Sequence, residues 1–390
     1  MEVRTEVDSV LEQAVDAGDV AGVVAAAADD KGVIYERAHG KRSIAADTPM
    51  TVDTVFWIAS MTKAITSVAA MQQVEKDKLS LDEPLSKVLP ELDEVKVLEG
   101  FDADGAPRLR PPKRPITLRH LLTHTAGFTY DIWSLDMCRY QKQEGVPGII
   151  ECKNVTLMTP LLFDPGERWE YGINVDWAGK AVEKVSGQRL EGYFNEHIFE
   201  PLGMKDSGFV LRPDQRKRLA TMHARTPDGG LAPIEFEMPQ DPEFYMGGGG
   251  LYSTAPDYLV FLQMLLHGGT FAGARILNKE TVAEMNRNQI GDVEVTVLKS
   301  AIPESSNDAE FFPGMPKRWG LAYMISLDRA HTGRSAGSLA WAGLGNTYYW
   351  LDPNHNLTGL ICTQVLPFAD AKVLDVFSRF ETAIYEQRQA

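Results

Sequence analysis

Cysteine is scarce in this chain. The 390 residues hold three, Cys138, Cys152 and Cys362. An odd count without metal-like spacing argues against a disulfide framework and fits reduced thiols in a cytoplasmic protein. Long apolar runs are missing too, so no stretch is suited to crossing a bilayer. The opening Met1-Glu2-Val3-Arg4-Thr5-Glu6-Val7 is polar and acidic, unlike a secretory signal. Basic charge is in deficit: 39 Lys and Arg face 54 Asp and Glu, for a net charge of -15. Such a chain repels polyanions, which argues against nucleic acid and anionic membranes as partners. Internal repeats and low-complexity tracts are absent. Two familiar ligand motifs are incomplete. Gly247-Gly248-Gly249-Gly250 lacks the Lys-Ser/Thr of a phosphate loop, so close backbone approach or a turn is its expected use. His120 and His124 stand four apart with no Glu in the zinc-protease manner and no third ligand, so a structural hydrogen bond is expected of His124. No metal or organic cofactor is implied.

What is present is a globular composition, 44% hydrophobic and 24% charged, long enough for two or three domains. Val3, Val7, Val10, Leu11, Ala14 and Val15 fall at helical spacing over residues 3–17. Val20 to Ala27 and Val33 to Arg37 flank the turn Asp29-Asp30-Lys31-Gly32 and read as a hairpin. The middle of the chain is mostly helical in pattern, including Val175–Val185 and Tyr258–Leu266, and residues 287–317 form a weakly patterned excursion. Strands return at Gly320–Ser326, Ser338–Ala342, Asn346–Leu351 and Leu357–Thr363, followed by a helix on Val373, Val376, Phe377, Phe380 and Ile384. The expected class is α/β of the α+β kind. One antiparallel sheet is built from both termini (1–75 and 318–390), flanked by helices, with a mainly helical region inserted at 76–317.

The chemistry centres on Ile58-Ala59-Ser60-Met61-Thr62-Lys63. Ser60 reads as lying in the first turn of a helix whose apolar stripe is Met61, Ile65, Val68, Met71 and Val74. Residues three apart share a helix face, so Lys63 presents its amine beside the Ser60 hydroxyl at the positive end of the helix dipole. That suits a serine nucleophile activated by an amine. An ordinary lysine, with a pKa of ~10.4, is a poor base near neutrality. Burial or a partner must lower it, a tyrosine hydroxyl can share the proton, and two backbone N–H groups are needed for the oxyanion.

These residues carry a resemblance. Phe56-Trp57-Ile58-Ala59-Ser60-Met61-Thr62-Lys63 resembles the first motif of the class C β-lactamase and penicillin-recognising serine hydrolase superfamily. Leu121 to Gly127, Pro165-Gly166, Tyr171, Pro201-Leu202-Gly203-Met204, Gly247 to Thr254 and Trp341-Ala342-Gly343 resemble it in the same chain order. Two departures matter. The Tyr-x-Asn motif finds Ile173 where the amide belongs, with Asn174 one place late, and Trp341 stands where Lys-Thr-Gly has its cation. The combination resembles the family VIII carboxylesterases. The resemblance implies a β-lactamase/DD-peptidase-like fold and a small-molecule ester substrate. It implies Ser60 as nucleophile, Lys63 and Tyr171 as the proton-transfer pair, and the N–H groups of Ser60 and Leu344 as the oxyanion hole. Trp341 and Gly343 are then expected at the substrate. Phe128, Tyr130 and Trp133, aromatics of one nearby loop, are expected to line its pocket.

The expected reaction is hydrolysis of short- to medium-chain carboxylic esters through an acyl-enzyme. Transfer to another alcohol, β-lactam or amide hydrolysis, and a non-catalytic binding role are the alternatives. Gly333-Arg334-Ser335-Ala336-Gly337 spells the α/β-hydrolase pentapeptide, but a polar loop precedes it and a strand follows, not the strand-to-helix elbow that motif needs. His331-Thr332-Gly333 imitates the third motif a strand's lead-in too early, so Trp341 is preferred. Oligomeric state is not readable from the pattern.

Overall fold

The computed structural model describes residues 2–388. Met1, Gln389 and Ala390, parts of the expected sheet region, and the side chain of Val3 lie outside the described residues. The chain opens with α1 (Glu2–Asp16), then β1 (Gly22–Asp29), β2 (Gly32–Ser43) and β3 (Thr48–Pro49). In the middle lie the helices α2 (Thr62–Glu75), α3 (Asn174–Ser186) and α4 (Ala255–Leu266). The last part supplies β4 (Lys317–Trp319), β5 (Met324–Ser326), β6 (Leu339–Gly343), β7 (Thr347–Asp352), β8 (Leu357–Cys362) and α5 (Ala371–Gln387).

The eight strands form one sheet in the order β4-β5-β6-β7-β8-β1-β2-β3, antiparallel at every junction. Its central seam joins the two ends of the chain: Val24 stands opposite Cys362 and Asp29 opposite Leu357. β1 is buried along its whole length, as its continuous apolar run requires when both sheet faces are covered. The covering helices are identified by β7. Tyr348 and Trp350 pack on Phe377 of α5, whereas Tyr349 between them meets Tyr258 of α4. Alternation along a strand therefore puts α5 and α4 on opposite faces. α1 joins α5, with Val7, Leu11 and Ala14 buried.

The expected strand Gly320–Ser326 is instead the end of a tight hairpin. The chain reverses at Gly320–Tyr323, where the Gly320 N–H donates to the Tyr323 carbonyl at 2.8 Å, and β4 and β5 pair across it. The expected division of the chain also crosses the helices. α4 comes from the inserted stretch yet lies on β1 and β8, and α2 comes from the N-terminal part yet packs on α3. α2 is buried from Thr62 to Gln73, all round and not along one stripe, so it is a central helix. Among the described residues no helix is long and apolar enough to cross a membrane.

Candidate active site

Ser60 sits where three layers meet. The short strand Phe56–Trp57 pairs with Tyr252–Ser253, and the chain then makes a 3-10 turn over Ala59–Met61 before α2 begins. Ser60 thus lies one turn ahead of the α-helix, not within its first turn as the spacing suggested. Ala59 has φ 44°, the left-handed region, which costs a non-glycine residue about 1–2 kcal/mol. The bend leaves Ser60 half-buried at the helix's positive end.

Lys63 is 2% exposed and donates to three oxygens: Ser60 Oγ at 3.1 Å, the Tyr130 hydroxyl at 2.9 Å and the Gly248 carbonyl at 2.6 Å. The other side of the Gly248 peptide is held by Asp176, whose Oδ1 accepts from the Gly248 N–H at 2.7 Å. Asp176 is fully buried, and its Oδ2 has no hydrogen-bond partner among the described residues. Burial pushes the Lys63 amine down, and the Asp176 carboxylate opposes this. Burial pushes the Asp176 carboxyl up, and Lys63 opposes that in turn. A lysine held low is one that can be neutral, and so accept a proton, far below its ordinary range. A Cβ on Gly248 would stand 2.7 Å from Asp176 Oδ2 and 3.0 Å from the Tyr130 hydroxyl, so only glycine fits there.

Tyr171 lies across Lys63, with the amine 4.6 Å from its ring centre. Its hydroxyl accepts from Trp341 Nε1 at 2.8 Å and is hydrogen-bonded to the Ser60 side chain. Burial raises the Tyr171 phenol, while these two hydrogen bonds oppose the rise. His124 packs 4.7 Å from the Tyr171 ring and takes a hydrogen bond at Nδ1 from Asn174. Burial, aided by Lys63, holds that imidazole well below its usual value, so it is neutral.

A cavity of about 270 Å³ opens over Ser60. Its walls include Tyr130, Trp133, Ile149, Met246 and Leu344. Three expected pocket residues are elsewhere. Phe128 is fully buried, its ring stacked on Trp177 of α3, and does not line the cavity. Trp341 does not line it either; its indole N–H is spent on Tyr171, and it borders a second cavity of about 250 Å³ with Phe311, Tyr348 and Phe377. Gly343 does not line the cavity and is a point of close approach. A Cβ there would stand 2.3 Å from the Ile58 carbonyl and 2.4 Å from Thr347 Oγ1. Its lack of a side chain lets β6 abut the Ser60 turn and brings Leu344 to the cavity wall.

Other residues resolve in the same way. Asn174 is buried and donates to His124, Phe128 and Glu170, away from the cavity. Ser335 donates to Asp352, and His355 bonds the other oxygen of that carboxylate, so the serine has no imidazole beside it. The pattern did not reveal the Tyr130 hydroxyl on Lys63, or Asp176. Asp176 shares its helix face with Gly179, Lys180 and Glu183, so periodicity assigns it to the polar side. An acid in a helix's first turn is ordinary, which masks it.

A family model described as Beta-lactamase matches residues 7–383. The chain belongs to the beta-lactamase family. This beta-lactamase-family protein is 34% identical to the lovastatin esterase of Penicillium rubens, over 98% of either chain. It is 33% identical to the monacolin J acid methylbutanoyltransferase of Aspergillus terreus, covering 98% of this chain and 95% of that one. Among solved structures it is similar to a mutant of simvastatin synthase from Aspergillus terreus, with TM-score 0.85 and 33% identity over 98% of this chain and 94% of that one. The fold is accordingly that of β-lactamases and transpeptidases, a large antiparallel sheet flanked by helices.

Proposed function

We propose that this protein is a serine acyl-transferring enzyme that takes an acyl group from an ester onto Ser60 and passes it to an alcohol, with water as a competing acceptor. The observation that carries the reading is the buried Lys63 amine, 3.1 Å from Ser60 Oγ and held low by burial, beside a largely apolar cavity. Ser60 Oγ attacks the ester carbonyl and its proton passes into the Lys63–Tyr171 pair. The N–H groups of Ser60 and Leu344 receive the oxyanion. The departing alcohol takes the proton, leaving the acyl-enzyme. The acceptor then loses its proton to the same pair, and Ser60 is released. An apolar cavity favours an organic acceptor over water. Relatives named as an esterase and as an acyltransferase both fit one acyl-enzyme with two acceptors.

The test couples labelling to product analysis. A serine-directed phosphonate should give a single adduct at Ser60, and a p-nitrophenyl ester supplied with a simple alcohol should give a new ester in a proportion that rises with the alcohol. Free acid alone at every alcohol concentration would return the assignment to plain hydrolysis. An adduct on Ser335, or full activity in Ser60→Ala, would overturn the site.

A further inference from the structure

The cavity over Ser60 carries charge of one sign. Asp131 and Glu151 line it, and among the described residues no Lys, Arg or His does. Asp131 opens the 3-10 turn Asp131–Trp133, with Oδ1 accepting from the Ile132 N–H at 3.0 Å. Its Oδ2 lies 3.5 Å from where a Cβ on Gly148 would stand, and Gly148 lines the same cavity. Asp131 is half-buried and Glu151 is exposed at the rim. Burial raises the Asp131 carboxyl, and the groups that oppose the rise are backbone N–H donors, with no cation among them. Lys63 does not balance it. That amine is spent on Ser60, Tyr130 and Gly248. A partly desolvated carboxylate without a counter-ion is unfavourable in the empty protein. A positive group on the ligand relieves that cost. Tyr130 and Trp133 line the same wall, and aromatic rings also attract a cation.

We propose that this cavity selects substrates bearing a cationic nitrogen, with Asp131 as the specificity-determining carboxylate and Glu151 drawing the cation in at the rim. The substrate class is the ammonium-bearing alcohol, as acyl acceptor or as the alcohol half of the ester. The inference rests on Ser60 carrying the acyl group. Carboxylate-bearing alcohols are rejected by the same field.

Three butyrate esters test it: that of choline, that of 3,3-dimethylbutanol (the uncharged carbon isostere) and that of 3-hydroxypropanoate. The expected order of kcat/KM is choline about tenfold above the isostere, and the carboxylate ester below both. Asp131→Asn should bring the choline-to-isostere ratio close to one. Should that variant fail to fold, the wild-type ratio decides through salt. Between about 0.01 M and about 1 M salt the screening length falls from about 30 Å to about 3 Å, so the ratio should shrink. A ratio near one in the wild type, a ratio insensitive to salt, or a ratio kept in Asp131→Asn would overturn the proposal. The two readings separate cleanly. Equal turnover of all three esters on a phosphonate-reactive Ser60 overturns the charge selection alone, whereas an inert Ser60 overturns the acyl-enzyme reading and this inference with it.

Discussion

In the proposed reaction Lys63 must be neutral to take a proton from Ser60, yet it is surrounded by oxygens that reward its charge. Burial lowers the pKa of the amine, and Asp176 works against burial. The sign for Asp176→Asn follows. Removing the carboxylate removes what raises the Lys63 pKa, so the ascending limb of kcat/KM against pH should move to lower pH. A move to higher pH would mean that Asp176 does not act on Lys63 by charge. Trp341 makes a second point at this scale. Its N–H is one of two groups that hold the Tyr171 phenol from rising further. Trp341→Phe leaves that buried hydroxyl one donor short, worth about 1–1.5 kcal/mol, or roughly a tenfold fall in kcat with KM little changed. Steady-state kinetics on a p-nitrophenyl ester check it, and an altered ester preference at unchanged kcat would restore Trp341 to the substrate. Of the residues grouped in the sequence, Ser60, Lys63 and Tyr171 are brought together by the fold. Phe128 and Trp341, which lie off the cavity, are large aromatics whose direction depends on which layer lies beneath them. Type and spacing carry no such information.

At the scale of elements, the site depends on how closely β6 can approach the Ser60 turn. Gly343 is the contact point, and there is no room there for a side chain. Gly343→Ala would place a methyl against the Ile58 carbonyl and Thr347 Oγ1 at distances no real Cβ shows. We expect a loss of about 1–3 kcal/mol in stability, read as a lower unfolding midpoint, together with a fall in acyl-enzyme formation as Leu344 is pushed from the cavity wall. A melt and a burst like those of the wild type would show that the strand can retreat at no cost. α5 was legible from its period, because its buried residues recur at helical spacing, whereas β7 and β8 are buried at every position and were legible as short apolar runs bounded by turns. The hairpin at Gly320–Tyr323 was not, since a glycine within an apolar run reads equally well as strand. α2 hid its centrality behind a regular stripe. The polar Thr62, Thr66, Ser67, Gln72 and Gln73 that make it look amphipathic are buried as well.

At the scale of the whole molecule, the C-terminal helix is fastened to the sheet by charge. Arg334, in the loop before β6, and Glu381, in α5, are each 1% exposed and form an ion pair through two hydrogen bonds, with Thr332 as a third donor to the carboxylate. Glu381→Gln would leave the guanidinium buried without its counter-charge and should cost about 3–5 kcal/mol, seen as a lower melting temperature. Replacing both partners by apolar residues of similar volume should recover much of the loss. No recovery would mean that the pair's geometry, and not its desolvation, sets the stability. The discontinuous sheet was readable from the two groups of strands at the chain's ends. The allegiance of α4 and α2 was not, because it depends on how the middle of the chain folds back.

The seam between β1 and β8 sets a timetable for synthesis. The β1–β2 hairpin leaves the ribosome long before β8, the strand that pairs with its other edge, because the whole inserted stretch lies between them. Until then β1, an alanine- and valine-rich ribbon, shows a bare edge to whatever is nearby. Closing the sheet afterwards requires a loop of nearly the whole chain, the slow kind of contact in folding. Newly made chains of this protein therefore depend on something to shield that ribbon while they wait, and overproduction without added chaperone should fill inclusion bodies long before it exhausts the stability of the finished molecule.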